Sequence, residues 1–402
     1  FDPHDREIAR SYSPGLTDAQ DAEQPLRVES VYDAVGRLAA IVHRQGSTQV
    51  ARYDFSHDPN GNRTRETLTR GPDGVRVTDY RYDADDRLIG ITTPDSDTRY
   101  TLDAVGNRLR EQLRPHADGP LLRDIVLTYN DRDQLERSLD AVAGDTVVYA
   151  YDPYGNLASL TRDGHTTGYR HNAQDRLATL VVQGAPPQQA TRYRYDPDGL
   201  RREKRDAVTA TRYHYDLGQL RLETNVLGNL QTAYEFAAGH VLGQFDATTD
   251  QHLHFLHDAQ RSPVRLVHPD ATLAGTTGFD AWGVRTELTG LQSRVGYTGY
   301  YADAESGDYY AQQRYYRQGI GRFLSVDPGP MLYERPITLN RYLYANGNPL
   351  IYIDPDGRIA LLNDFRRSIT EFGREALNFA ESAGQQAGQG SWGARISASA
   401  GW

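Results

Sequence analysis

Tyr32-Asp33-Ala34-Val35-Gly36-Arg37-Leu38 is one copy of a phrase, Tyr-Asp-x-x-Gly-Arg/Asn-Leu, whose recurrence decides how this chain is read. It returns as Tyr151-Asp152-Pro153-Tyr154-Gly155-Asn156-Leu157 and as Tyr195-Asp196-Pro197-Asp198-Gly199-Leu200-Arg201. Looser copies are Tyr82-Asp83-Ala84-Asp85-Asp86-Arg87-Leu88, Leu102-Asp103-Ala104-Val105-Gly106-Asn107-Arg108 and Tyr215-Asp216-Leu217-Gly218-Gln219-Leu220. Self-similarity at a period of roughly 20–25 residues means an array of one small unit, which argues against a compact active-site enzyme.

Short alternating segments lead into the phrase, such as Thr146-Val147-Val148-Tyr149-Ala150-Tyr151 and Thr191-Arg192-Tyr193-Arg194-Tyr195. Alternation of period two, rich in Thr, Val and Tyr, is the pattern of a half-buried strand. In Asp-x-x-Gly, Asp bonds its own downstream backbone and Gly accepts positive φ, so the phrase is a turn. Each repeat therefore reads as a β-hairpin. A lone hairpin is marginal, so successive ones must pair edge to edge, and a long twisted sheet curls to hide its edges. The predicted fold is all-β: antiparallel hairpins curling into a hollow spiral shell or barrel wall. Such a wall should enclose solvent or protein rather than form a solid core at its centre.

Composition agrees with a wall. Only 38% of the 402 residues are apolar, and Tyr outnumbers Phe by 27 to 10. A tyrosine joins a large ring to a hydroxyl that needs a partner, which suits half-wet surfaces. Of 44 basic residues only Lys204 is lysine, so positive charge sits on planar guanidinium groups able to stack on rings and fork onto carboxylates. A net charge of −10 argues against nucleic-acid binding by the shell, and the absence of cysteine excludes disulfides and thiolate sites. No run approaches the ~20 apolar residues of a membrane helix. No leader precedes Phe1 and the only methionine is Met331, so the sequence reads as a piece of a longer polypeptide.

The phrase is legible from about Val31 to about Gly243, with Phe279-Asp280-Ala281-Trp282-Gly283-Val284-Arg285 as a last variant. From Val295 a Tyr- and Gly-rich texture takes over and runs to Gly357. Beyond it Ile359, Leu362, Phe365, Ile369, Phe372, Leu377 and Phe379 space like one face of a short helix, and a small polar tail follows from Ser382. The expected division is an edge segment over 1–30, a repeat shell over 31–294, a plug region over 295–357 and a variable C-terminal segment over 358–402.

These repeats resemble the YD repeats of Rhs proteins, insecticidal toxin-complex C components, wall-associated proteins and teneurins. The ordered landmarks Tyr297-Thr298-Gly299, Tyr309-Tyr310, Arg314-Tyr315-Tyr316, Gly321-Arg322-Phe323, Asp327-Pro328 and Pro349 through Asp354-Pro355-Asp356-Gly357 resemble the Rhs core-associated region. The resemblance implies a hollow β-shell, a core region that plugs one end, and a variable toxin segment after the second Asp-Pro. It also implies self-cleavage of aspartic-protease type by Asp327, Asp354 and Arg314, with Arg358–Ile359 as the candidate bond. Three departures from the cleaving pattern stand out. Pro330 replaces a Gly, the interval from Met331 to Ile353 is longer, and Arg358 replaces a Leu. Self-cleavage and a purely structural reading, two tight turns capped by Asp and fixed by Pro, therefore both stand.

Other candidates carry less. His252 and His254 form an i, i+2 pair with His257 nearby, but no acidic or histidine partner has metal-site spacing along the sequence. They read as ordinary exposed strand residues, and no metal or cofactor is expected. Asp58-Pro59-Asn60-Gly61-Asn62 lacks the full spacing of a calcium loop and reads as a turn. The expected function is the encapsulating scaffold of a bacterial polymorphic toxin, exported as part of a larger polypeptide and secreted or held at the cell surface. Its own C-terminal toxin segment is the expected partner, with secretion-apparatus components, a chaperone or an immunity protein. The alternative is a cell-surface adhesion or glycan-binding module.

Overall fold

A computed structural model describes residues 7–12, 26–71, 74–182, 190–237, 240–329, 336–358 and 360–362. The helix and tail expected after Gly357 lie almost wholly outside these residues. Twenty-five strands, from β1 (Ala9–Tyr12) to β25 (Arg285–Gly290) in chain order, form one sheet. Each strand pairs antiparallel with the next, as β1 does with β2 (Leu26–Tyr32) and β24 (Leu273–Phe279) with β25. The predicted all-β array of hairpins is the observed architecture.

The phrase makes the same turn at Asp33, Asp83, Asp103, Asp152 and Asp196. At the Tyr215 copy, by contrast, Asp216 pairs with Gln219 and the hairpin closes through two left-handed residues, Leu217 (φ +49°) and Gly218 (φ +77°). At the first copy Asp33 Oδ1 accepts from the backbone nitrogens of Val35 and Arg37 at 3.0 and 2.8 Å. The Asp33 nitrogen donates to the Arg37 carbonyl at 2.8 Å, and Gly36 adopts φ +89°. The pairing register shifts just before the turn, between Val31 and Tyr32, so the tyrosine sits at a bulge that bends its strand.

Consecutive turns are tied to one another. Tyr82 OH donates to the Arg63 carbonyl at 2.7 Å, Tyr129 OH to Arg108 at 2.9 Å and Tyr195 OH to Leu177 at 2.8 Å. In each case the accepting residue directly follows the preceding turn, which explains tyrosine rather than phenylalanine. Asn62, Asn107 and Asn156 each reach forward to Oδ1 of Asp86, Asp133 and Asp175 in the next turn, at 2.6, 2.7 and 2.8 Å. Those aspartates occupy the glycine position with φ of 61°, 58° and 58°. Asp is among the few residues besides glycine that visit this left-handed geometry, and here its carboxylate is held by the asparagine of the preceding turn. Arg37 and Arg87 reach instead to the carbonyls of Asp58 and Asp103, both at 3.0 Å. From Arg37 to Asn156, arginine or glutamine turns thus alternate with asparagine turns.

The meander spirals so that its start packs on its end. Leu26, Val28, Ile41 and Tyr53 bury against Leu256, Val264 and Val267, and His43 Nε2 lies 2.9 Å from the His257 carbonyl. The described residues between 295 and 357 pack against the wall as protein filling. Tyr149, Tyr169, Tyr193 and Tyr213 of the wall pack on Tyr301, Tyr310, Tyr315 and Leu324. A second cluster joins Leu88, Ile91 and Tyr100 to Tyr297, Tyr316, Phe323 and Tyr344. Within this inner region β26 (Tyr301–Ala302), β27 (Tyr309–Ala311), β28 (Arg314–Arg317) and β29 (Arg322–Phe323) form a small antiparallel sheet.

The inner region is registered against the row of turns. Asn348 donates to Asn62 Oδ1 and to the Asp86 carbonyl at 2.9 and 2.7 Å, and Tyr342 OH to the Gly155 carbonyl at 2.7 Å. Arg176 reaches the Gln313 carbonyl at 3.0 Å. Arg201, fully buried, pairs with Asp303 and donates to Tyr315 OH at 2.8 Å, while Lys204 lies 3.2 Å from Asp303 and 3.1 Å from Glu305. The lone lysine thus shares one buried ionic cluster joining the wall to the inner region.

Candidate functional site

The second Asp-Pro motif is built on the wall's own turn. Asp354 Oδ1 accepts from the Arg358 nitrogen at 2.9 Å, four residues on, and Gly357 adopts φ +77°. This is the geometry of Asp33 with Arg37. A Cβ at Gly357 would lie 2.5 Å from the Ala311 carbonyl, so only glycine lets the turn press onto the end of β27. In the wall, Oδ2 of such an aspartate takes the side chain at the fifth position, as Arg37 Nε meets Asp33 Oδ2 at 2.7 Å. Asp354 Oδ2 takes Arg314 instead.

Arg314, Asp327 and Asp354 therefore meet. Arg314 Nη2 lies 2.9 Å from Asp327 Oδ2 and 2.9 Å from Asp354 Oδ2. Its Nε donates to the Gly357 carbonyl, its Nη1 to the Arg341 carbonyl at 3.2 Å, and its plane stacks 3.5 Å from the Phe323 ring centroid. Five parts of the inner region thus fix one guanidinium, and its planar fork suits that role better than an ammonium would. Asp327 is held by its own loop: Oδ1 accepts from the Gly329 nitrogen at 2.7 Å, and the Asp327 nitrogen donates to the Arg341 carbonyl at 3.0 Å. The Arg341 guanidinium caps the carbonyls of Asp327 and Gly329.

The two carboxylates differ in setting. Asp354 is buried, and that burial pushes its carboxyl up to about 6 against the opposing pull of Arg314. Asp327 is also raised from its ordinary value by burial, again opposed by Arg314, yet its side chain keeps 23% of its exposure. Two carboxyls thus flank one cation, both displaced upward by burial and both opposed by the same guanidinium. A Cβ at Gly329 would lie 3.0 Å from the Arg358 carbonyl oxygen and 2.9 Å from Asp327 Oδ1. The carbonyl of the candidate bond thus lies beside the Asp327 loop; Ile359 lies outside the described residues.

All three residues singled out in the sequence are brought together. Sequence reading missed Arg341, because an arginine that caps loop carbonyls has no local motif. It also missed Tyr300, whose hydroxyl donates to the Asp354 carbonyl. The histidine expectation needs correction: His254 and His257 are buried, not exposed, since both faces of β22 (Gln251–His257) are covered. Phe255 packs on Tyr234 and Val295, while Leu256 packs on the N-terminal strands.

Comparison with known proteins places this architecture. The family model described as Teneurin YD-shell matches residues 19–350. The chain belongs to the YD-shell family. Among curated relatives, this YD-shell chain is 30% identical over 265 residues to the tRNA3(Ser)-specific nuclease WapA of Bacillus spizizenii, covering 64% of this chain and 11% of the relative. It is 26% identical over 380 residues to the double-stranded DNA deaminase toxin A of Burkholderia cenocepacia, covering 83% and 24%. To the toxin protein Tse5 of Pseudomonas aeruginosa it is 30% identical over 369 residues, covering 82% and 26%. The YD-shell chain thus spans between 11% and 26% of these relatives' lengths. The crystal structure of TcdB2-TccC3-Cdc42 aligns with a TM-score of 0.40 at 18% identity, covering 90% of this chain and 23% of that one. No helix among the described residues is long and apolar enough to cross a membrane.

Proposed function

We propose that this chain is the shell and plug of a bacterial polymorphic toxin, and that its junction cuts itself at Arg358–Ile359. The observation that carries the cleavage reading is the shared Nη2 of Arg314, 2.9 Å from each Asp-Pro carboxylate. A structural turn alone has no need of the other motif's aspartate, since at Asp33, Asp58, Asp83, Asp103 and Asp152 the second carboxylate oxygen is taken by a side chain of its own turn. In this reading residues 31–294 are the wall, 295–357 the plug and 358 onward the start of the carried segment. Relatives named as nucleases, a deaminase and a toxin support a toxic cargo beyond the part covered here. The same reading gives the chain an exported life as part of a larger polypeptide. Its partners are then the cargo itself, with a chaperone, an immunity protein or the secretion apparatus.

The reaction uses one ionised and one protonated carboxyl. Asp327, the more exposed, takes a proton from a water that attacks the Arg358 carbonyl carbon. Asp354, the more buried, delivers its proton to the Ile359 nitrogen as the C–N bond breaks, leaving an Arg358 carboxylic acid and an Ile359 amine. Asp327 is then protonated and Asp354 ionised, and the new acid loses its proton to solvent. Arg314 holds the pair in register and limits how far both can be neutral. Intact mass spectrometry of the full chain, wild type against Asp354→Asn, tests this. Two fragments parted at Arg358 in the wild type, and one full-length mass in the variant, are expected. Equal full-length masses in both would overturn the cleavage reading while leaving the shell untouched.

A further inference from the structure

Three zinc-type donors, none of them part of the junction, converge on one patch of the wall. Glu235 on β20 (Leu230–Ala237) pairs with Gly243 on β21 (His240–Asp246), which pairs in turn with His254 on β22. His252, two residues before His254, points to the same face because strand side chains alternate. The donor atoms of Glu235, His252 and His254 all lie within 4.8 Å of one another, and His252 Nε2 is 2.9 Å from Glu235 Oε1. The two imidazole centroids are 4.8 Å apart.

Gly243 makes the convergence possible. It stands between Glu235 and His254 in the ladder, and a Cβ there would meet the Leu253 carbonyl at 2.6 Å and Glu235 Oε2 at 3.2 Å. With no side chain between them, an acid and an imidazole two strands apart reach across the bare backbone. We propose that Glu235, His252 and His254 bind one divalent cation of the zinc class, with solvent in the fourth position.

The chemistry favours this ion. Two imidazoles and one carboxylate match borderline metals rather than calcium or magnesium, which take mostly oxygen. Bonds of ~2.0–2.2 Å in a tetrahedron put donors roughly 3.3–3.5 Å apart, so rotation of exposed Glu235 and part-exposed His252 onto the fixed His254 closes the site. The part-exposed side chains of Glu235 and His252, at 49% and 35%, leave an open path for the ion. A bound ion would clamp three adjacent strands near the end of the wall. Sequence spacing hides the site because Glu235 joins it through sheet register alone.

The test uses the full chain without a histidine tag, stripped with chelator and titrated with Co²⁺ and Zn²⁺. Expected are one Co²⁺ per chain with the visible absorption of a four-coordinate site, displacement by Zn²⁺, and a higher melting temperature with Zn²⁺. His252→Ala and Glu235→Gln, both at the surface and checked for folding by circular dichroism, should each weaken binding tenfold or more. No saturable binding, or equal binding by wild type and folded His252→Ala, would overturn the proposal.

Discussion

Asn107 Nδ2 donates to Asp133 Oδ1 at 2.7 Å, joining two turns of the wall, while Asn107 Oδ1 accepts from Arg322 at 2.6 Å and Asn340 at 2.8 Å from the plug. Its second amide proton goes to Asp103 Oδ2 at 2.8 Å, so all four hydrogen-bonding positions of this buried amide are filled. Asn107→Ala strands donors and acceptors on both wall and plug. Roughly 3 kcal/mol or more of stability should be lost. Chemical denaturation checks this, and a loss near zero would mean that the network is not formed in solution.

Gly155 and Gly164 separate backbone strain from steric fit. Both adopt positive φ, +90° and +76°, but a Cβ at Gly155 would meet Val326 Cγ2 at 2.5 Å and Tyr342 OH at 2.8 Å. At Gly164 nothing lies within 4 Å. Gly164→Ala should cost about 1 kcal/mol of strain alone. Gly155→Ala should cost roughly 1–3 kcal/mol beyond that, by pushing the plug off its turn. Paired thermal melts of the two variants give the difference.

Arg201 anchors the plug from the other side. Its guanidinium stands over the rings of Tyr213 and Tyr310 at 4.7 and 4.3 Å and pairs with Asp303, which Lys204 also reaches. Arg201→Met keeps the volume and removes the charge that holds the Asp303 carboxyl below its ordinary value. Breaking a buried pair from one side costs about 3–5 kcal/mol. A double variant with Asp303→Asn should recover part of that loss, as a double-mutant cycle would show.

Cleavage, where Asp354 is the proton donor, should depend on pH in one direction. Burial holds its carboxyl up to about 6, so the protonated form prevails below that value and is lost above it. The rate after refolding from denaturant should fall about tenfold per pH unit above roughly 6. Time courses by intact mass between pH 5 and 8 check the slope. A rate that rises over this range would assign Asp354 the opposite role.

The hydroxyl ladder predicts a repeated small effect. Tyr82→Phe and Tyr129→Phe each remove a bond to the carbonyl that follows the preceding turn. Each should cost about 0.5–1.5 kcal/mol, and because the sites are separate the two losses should add. Equal stability of wild type and both variants would mean that water replaces the hydroxyl.

Much of this was legible in the chain because the turn is a local object. The aspartate of the phrase bonds nitrogens two and four residues on, and glycine answers for one backbone angle, so seven residues carry the whole instruction. Where Asp133 or Asp175 stands in place of glycine, the turns at Asn130 and Asn172 escaped reading although they fold alike. Asp327, Asp354 and Arg314 were found through motifs, not through any rule that brings them together.

The sequence alone determined the repeating hairpin, the all-β wall and the place where its rhythm stops, since these depend on contacts within a few residues. Only the tertiary structure decided that Asn107 serves two turns and the plug, that Asp354 gives its second oxygen to Arg314, and that Glu235 meets His254 across Gly243. Those contacts join residues from 19 to more than 200 positions apart. They follow from sheet register and spiral closure, which no short stretch encodes, because each is the sum of every turn before it.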